Sequence, residues 1–445
     1  MARSGEDTHE ILSVIILAAL PTYWFRSRPF EEKLPASHVC RYWRDICLHT
    51  PEIWQRIVYP HLFDDDHLYI DALREYLRRS GSTTLSITLG SYQVQSDVDA
   101  LKDPQPDIRD VWTLLFAESR RWHSAKFVLD DEVPVPTSLH EALDVPLLEE
   151  AGVVCPVDPD FAYPIELSAE RPFRWFANAL KLRRLCIAEP FFPSLVQVQW
   201  QCISHLNLYM SHVTSLQECV AILPHCTALE HLEYTVFAIE PGEQLSVVDV
   251  PSLRTLVLTH DAVLLCCHLR TPRLRKLTII GGPDQSVRVH GAIDMLAQRG
   301  PLSELQSLSF GDVFNPVLMG HTLALFPNVI ELHITDHHPL HSIPFLWCQL
   351  ADMPDEGQVK DLQVLSLQLQ SSGWVASGLQ RLADKALTRW AKLRRLELWN
   401  VPEELIKTYA AGVYKQWTAG LEERGVHVEA NRRWLHLPRD SIAWD

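Results

Sequence analysis

The sequence lacks the features that mark several large classes of protein. It contains no Asn-x-Ser/Thr acceptor and no Cys-x-x-Cys pair. Its longest apolar run, Val14 to Leu20, is too short to span a bilayer and has no basic leading segment. A formal net charge of -16 argues against nucleic-acid binding, which needs a basic face. We therefore expect partners that are neither membranes nor nucleic acids.

The ten cysteines are scattered over 445 residues without metal-ligand spacing, and most lie in apolar segments. This pattern is typical of reduced thiols that pack as small hydrophobic side chains. Together with the missing glycosylation acceptors, it predicts a cytoplasmic and/or nuclear protein. The cysteines are Cys40, Cys47, Cys155, Cys186, Cys202, Cys219, Cys226, Cys266, Cys267 and Cys348.

Sequence motifs of common enzymes are also missing. There is no glycine-rich phosphate loop, no Gly-x-Ser-x-Gly, no His-Glu-x-x-His and no Cys/His set with zinc spacing. The segment Asp336-His337-His338 with His341 is the strongest candidate for a metal site, but we favour a polar, solvated loop there. The sequence thus predicts a protein that is not an enzyme and has no cofactor and no metal.

Large apolar residues concentrate near the N-terminus at helical spacing. Residues 8–20 are predicted to form a helix that is apolar almost all round. Four further residues share one helical face: Val39, Cys40, Trp43 and Ile46. Pro51 should end that second helix and begin a short third one over residues 51–57. A helical unit this small needs a partner or a following domain to be stable.

These segments resemble an F-box of the form found in the large fungal F-box families. The resemblance rests on HEILSVIIL (9–17), LPASHVCRYWRDI (34–46) and TPEIWQRI (50–57). The second and third segments match closely, whereas Asp7, Thr8 and His9 stand where the family usually has Leu-Pro. The resemblance implies docking to the Skp adaptor of a cullin ubiquitin ligase. The residues that it assigns to the adaptor are Glu10, Ile11, Leu12, Ile15, Leu34, Val39, Cys40 and Trp43.

A repeated pattern follows. Strings of the form LxxLxL begin at Leu182, Ile203, Leu229, Leu253, Leu274, Leu305, Val329, Leu362 and Leu393. Most are separated by the 20–29 residues of a leucine-rich repeat, and a degenerate tenth string begins at Leu148. The fourth and sixth positions should point into a core from short parallel strands. Residues 216–223 and 292–298 have helical periodicity and are predicted to lie between strands.

The sequence therefore predicts an α/β fold. A small N-terminal helical F-box-like unit precedes a curved leucine-rich-repeat solenoid, with parallel strands inside and helices outside. We place the helical unit at 1–60, a connecting segment of irregular first repeats at 61–135, the solenoid at 136–400, and a C-terminal helix, strand and capping tail at 401–445.

The polar positions of the predicted strands should form the concave face of such a solenoid. As a set these residues are polar and aromatic, which suits recognition of a protein better than a small-molecule pocket. The predicted target-binding residues are Arg184, His205, Asn207, Tyr209, His231, Glu233, Lys276, Glu331, His333, Arg395, Glu397 and Trp399.

Three hypotheses follow. We favour a substrate receptor that binds the Skp adaptor, and through it a cullin, by its N-terminal unit and an unknown target protein by its repeats. The second is a non-catalytic scaffold whose F-box has decayed. The weakest is a metal-dependent hydrolase that uses the loop around His337.

Overall fold

The computed structural model describes fifteen stretches of the chain. These are residues 4–19, 35–59, 66–90, 108–129, 137–154, 167–189, 191–210, 215–237, 245–281, 286–300, 302–311, 316–336, 361–369, 392–399 and 419–431. The described residues include no helix long and apolar enough to cross a membrane. The chain divides into two compact units, which meet in sequence between Ile203 and Ser204.

The first unit begins with two helices, α1 (Ser4–Ala19) and α2 (Arg41–His49). Ile16 of α1 shares a small buried core with Ile46, Cys47 and Trp54. The end of α2 follows from Thr50-Pro51: the Thr50 N–H and hydroxyl both donate to the Ile46 carbonyl, at 3.0 and 2.8 Å. A proline cannot donate to the helical ladder, so the helix does not continue.

A 3-10 turn at Pro51–Trp54 follows α2, and a strand, β1 (Arg56–Tyr59), comes directly after it. Our prediction of a helix over residues 51–57 is therefore wrong in its second half. β1 is paired with β2 in parallel, with Ile57 opposite Ile87. Pairing with a distant strand overrides the local helical signal, because the β-branched run Ile57-Val58 suits a sheet.

Five parallel strands in the order β1-β2-β3-β4-β5 form the sheet of the first unit. The remaining elements of this unit are α3 (Asp66–Arg79), β2 (Leu85–Leu89), α4 (Ile108–Ala117), β3 (Trp122–Val128), β4 (Glu150–Val154) and β5 (Arg184–Ala188). An aromatic core fills its interior. The Trp175 ring centre lies 5.1–5.4 Å from the rings of Trp112, Phe116, Phe127 and Phe173.

The second unit contains nine parallel strands in one sheet and a separate two-stranded pair, β8 with β10. Its strands are β6 (His205–Met210), β7 (His231–Val236), β8 (Val248–Asp249), β9 (Thr255–His260), β10 (Leu269–Arg270), β11 (Lys276–Ile280), β12 (Ser307–Gly311), β13 (Glu331–Asp336), β14 (Val364–Leu369), β15 (Arg395–Trp399) and β16 (His427–Asn431). The sheet order is β6-β7-β9-β11-β12-β13-β14-β15-β16. The predicted α/β class with parallel strands is confirmed.

Each of the nine predicted LxxLxL strings contains one strand, and its fourth and sixth positions are buried wherever the structure describes their side chains. Leu256 and Leu258 of β9, for example, are fully buried. One carbonyl before each strand holds the next strand in register: the Glu230 carbonyl accepts from both Arg254 N–H and Thr255 N–H at 2.9 Å. The register repeats because every strand enters the sheet at the same position of its string.

The segments between the strands of the second unit include both α-helices and a 3-10 helix. They include α5 (Ser215–Ile222), α6 (Ser286–Arg299) and α7 (Pro316–Leu325). The segment Asp261–His268 is instead a 3-10 helix, which contacts α6, and α6 contacts α7. The helices predicted at 216–223 and 292–298 are confirmed as α5 and the second half of α6.

Candidate functional site

The two N-terminal helices carry apolar side chains that their own core does not bury. Ile11 is 60% exposed, Val14 64% and Ile15 46%, and Val39 and Tyr42 beside and in α2 are 62% and 45% exposed. Residues 11, 14 and 15 lie on one stripe of α1, because positions three and four apart share a helical face. We call these five residues the exposed apolar set. They lie on elements that pack against each other.

The opposite side of α1 explains why this stripe is left outside. Leu12 and Leu17 pack against the buried cluster that contains Ile16 and Ile46. Trp43, on α2, packs against the same cluster and is only partly exposed. α1 is apolar almost all round, so burying one face of it necessarily exposes another.

Trp54 ties this small core to α3. Its indole Nε1 donates to the Cys47 carbonyl at 2.9 Å. Its ring meets Tyr76 edge to face at 4.8 Å, and the Arg79 guanidinium lies 4.5 Å from its ring centre. Burial raises the pKa of Tyr76 to about 12, because desolvation disfavours the phenolate. The helical pair is thus anchored through one tryptophan.

The predicted adaptor-binding residues divide into three groups. Glu10, Ile11, Ile15, Val39 and Cys40 are exposed, whereas Leu12 and Trp43 contribute mainly to the core. Leu34 lies outside the described residues. Val39 and Cys40 precede α2 rather than lying within it. Sequence reasoning missed Val14 and Tyr42 as exposed residues, although Val14 lies three positions after Ile11 and so shares its helical face.

A second candidate site is the polar side of the strands in the second unit, which we call the strand face. Parallel register aligns its residues in rows, and Tyr209 and Trp399 belong to a third row beyond the two given next. The first row contains His205, His231, Thr255, Lys276, Ser307, Glu331, Val364, Arg395 and His427. The second contains Asn207, Glu233, Val257, Thr278, Ser309, His333, Ser366, Glu397 and Glu429.

One group of polar contacts lies on β6 and β7. The His205 and His231 rings stack at 5.5 Å, and the Asn207 amide donates to Glu233 at 3.1 Å. Burial, together with the nearby His205 and Lys276, lowers the pKa of His231 to about 4. His231 is therefore neutral at pH 7.

Another group lies on β13, β14 and β15. The Trp399 indole donates to Ser366 at 3.0 Å and to Glu397 at 3.2 Å, and Arg395 pairs with Glu397 at 2.8 Å. Burial lowers the pKa of His333, while the carboxylates of Glu331 and Glu397 act in the opposite direction. Lys276 lies on β11, between the two groups in the sheet order.

The predicted target-binding residues differ in exposure. Lys276, Arg395 and His205 are exposed, whereas Glu233 and Glu397 are each only 7% exposed. Arg184 belongs to the first unit, where it pairs with Glu150 at 3.2 Å, and Glu150 also pairs with Lys126 at 3.1 Å.

Metal-ligating residues do not cluster in the part of the chain that the structure describes: no group of three or more His, Cys, Asp or Glu there could hold an ion. His337, His338 and His341 lie outside the described residues. The eight cysteines that the structure describes are free thiols.

No protein-family model matches the chain, and no curated protein matches it.

Proposed function

We propose that this protein is the substrate-recognition subunit of a cullin ubiquitin ligase of the SCF type. Its N-terminal helices act as an F-box that binds the Skp adaptor, and its strands form a leucine-rich-repeat solenoid that binds a target protein. The chain itself is not catalytic in this proposal.

The observation that carries the proposal is the exposed apolar set. The described residues include ten exposed large apolar side chains, and five of them belong to this set, within residues 11–42. Scattered apolar side chains need no explanation, but a concentration of them marks an interaction site. The F-box resemblance covers the same residues and supplies the class of partner.

The rest of the helical pair supports docking of a folded protein rather than a small ligand. Charged residues flank the exposed apolar set: Glu10 beside Ile11, and Arg41, Arg44 and Asp45 on α2, are all exposed. An apolar centre with a charged rim is the usual anatomy of a protein interface.

The strand face supports the second half of the proposal. It combines two aromatic residues, Tyr209 and Trp399, with His, Lys, Arg and Glu side chains in regular rows. Interfaces are enriched in aromatic residues and arginine. Since each row repeats at the spacing of parallel strands, a partner can contact several strands at once.

Co-precipitation with the Skp adaptor tests the adaptor half. We expect the double variant Ile11→Asp/Val39→Asp to lose most adaptor recovery, because each change places a charge in an apolar contact. Both side chains are exposed in the free chain, so folding should not suffer. Trp43→Ala is a poorer test, since Trp43 packs on the core and its loss destabilises the helices themselves.

Val287→Asp is the matched control, because Val287 is 72% exposed on α6 in the other unit. It should leave adaptor recovery unchanged. Equal recovery by wild type and the double variant would overturn the receptor proposal and favour the scaffold with a decayed F-box.

A further inference from the structure

The core beneath the exposed apolar set is small. It contains five buried side chains, those of Ile16, Ile46, Cys47, Ile53 and Trp54. A helical unit with so few buried residues does not reach the stability of a folded domain, because too little apolar surface leaves water on folding. By themselves, α1 and α2 would therefore lack a fixed position relative to each other.

A side chain from another helix completes this core. Five partly buried hydrophobic residues pack against it, and four of them belong to α1 and α2, whereas the fifth, Tyr76, belongs to α3. The Tyr76 ring meets the Trp54 ring edge to face at 4.8 Å. Such an aromatic pair adds to the free energy that burial alone supplies. Tyr76 thus covers the small core and also orients Trp54, which donates to the Cys47 carbonyl of α2 at 2.9 Å.

Arg79 makes a second contact from α3 to the same tryptophan. Its guanidinium lies 4.5 Å from the Trp54 ring centre, and its Nε donates to Glu75 at 2.7 Å. Hydrogen bonds from Arg78 and Arg79 lower the pKa of Glu75 to about 2, so that carboxylate is charged at pH 7 and keeps the guanidinium in place. Tyr76 and Arg79 are three positions apart, so one face of α3 presents both a ring and a cation to Trp54.

α3 is itself held in place within the first unit. Leu73 and Leu77 of α3 are buried. At the end of the helix, the Ser80 hydroxyl donates to the Leu77 carbonyl at 2.9 Å. Arg121, which directly precedes β3, donates to the Ser80 hydroxyl oxygen at 2.8 Å. The helical pair therefore packs against an element whose position is fixed from the sheet side.

We propose that Tyr76 is a positioning residue for adaptor binding and that α3 belongs to the adaptor-binding unit. By completing the core between α1 and α2, Tyr76 sets the spacing between Ile11 and Ile15 on one helix and Tyr42 on the other. A binding surface whose parts are already in place loses less entropy when the partner docks. The unit then ends with α3, at Arg79, rather than at residue 60. The inference rests on the proposed function, and it adds a residue that acts through Trp54 without touching the adaptor.

Amide hydrogen exchange of the full chain, followed by mass spectrometry, tests the positioning role without the adaptor. Tyr76→Leu keeps an apolar side chain but removes the ring. We expect exchange in α1 and α2 to become roughly tenfold faster, because the core between them opens more easily, and exchange in β2 and β3 to change by about twofold or less. Tyr76→Phe keeps the ring that meets Trp54, so exchange in α1 and α2 should stay close to the wild-type rate.

Leu77→Ala is the matched control, because Leu77 is buried on the same helix but does not belong to the core of the helical pair. It should leave exchange in α1 and α2 within about twofold of wild type. Unchanged exchange of α1 and α2 in Tyr76→Leu, or equal acceleration by Tyr76→Leu and Leu77→Ala, would overturn the positioning role.

Calorimetric titration with the Skp adaptor tests the link to binding. We expect a dissociation constant roughly fivefold higher for Tyr76→Leu and within about twofold of wild type for Tyr76→Phe. Equal affinity of wild type and Tyr76→Leu would overturn the link, even where the helices of the variant exchange faster. No binding by wild type would overturn the proposed function and this link together, whereas the exchange measurement would remain a separate result on the helical pair.

Discussion

The N-terminal helical pair and the strands of the second unit use apolar residues in opposite ways. In the strands, the leucines of each repeat are buried within the chain, as Leu206, Leu232 and Leu256 show at 0% exposure. In α1, Ile16 is buried whereas Ile11 and Ile15, five and one positions earlier, are exposed. The difference teaches that the strands complete their own core, while the helical pair leaves part of its apolar area exposed.

Substituting one apolar residue in each region should give the largest difference in the free energy of unfolding between the two regions. Leu256→Ala should lower the free energy of unfolding by roughly 2–5 kcal/mol, because it leaves a cavity in a close-packed core. Ile11→Ala should change it by about 0.5 kcal/mol or less, since the side chain is already in water. Urea unfolding of both variants measures the two values. Similar losses in both would contradict the distinction between the regions.

A smaller effect, the pH dependence of stability that His231 causes, distinguishes the strand face from an ordinary solvated surface. The pKa of His231 falls from 6.5 to about 4 on folding, so the unfolded chain binds more protons than the folded one between those values. The resulting contribution to stability is fully present above pH 6.5. It is lost progressively as the pH falls from 6.5 toward 4.

We expect the stability difference between pH 7 and pH 5 to be smaller in His231→Asn than in wild type by about 1–2 kcal/mol. Urea unfolding at the two pH values measures this difference. His427→Asn, at an exposed histidine in the same row, is measured beside it as the matched substitution. An identical pH dependence in wild type and His231→Asn would show that His231 is solvated.

Much of the fold could be predicted from the sequence, because the same LxxLxL pattern occurs nine times and each copy predicts a strand. Each LxxLxL string predicts a strand, and the strands from β5 to β15 in the main sheets follow them. β1 was missed because a proline-led helical pattern over residues 51–57 hides a four-residue strand. Only pairing with β2, about thirty residues later, decides its structure.

The candidate sites could be predicted only in part. The strings locate the rows of the strand face, but they do not reveal that Glu233 and Glu397 are almost covered by their neighbours in the sheet. Phe237 and His260 each lie beyond the end of a string, so no pattern signals that their rings meet. On α1, helical spacing assigns Ile11 and Ile15 to one face, but which face packs on α2 depends on the tertiary core.

The central claim is that the exposed apolar set binds the Skp adaptor, and calorimetric titration of the purified chain with that adaptor tests it most directly. We predict saturable binding by wild type and a dissociation constant at least about tenfold higher for Ile11→Asp/Ile15→Asp, since buried apolar anchors carry most of the affinity of an interface. Equal affinity of wild type and this variant, or no binding by wild type, would contradict the claim.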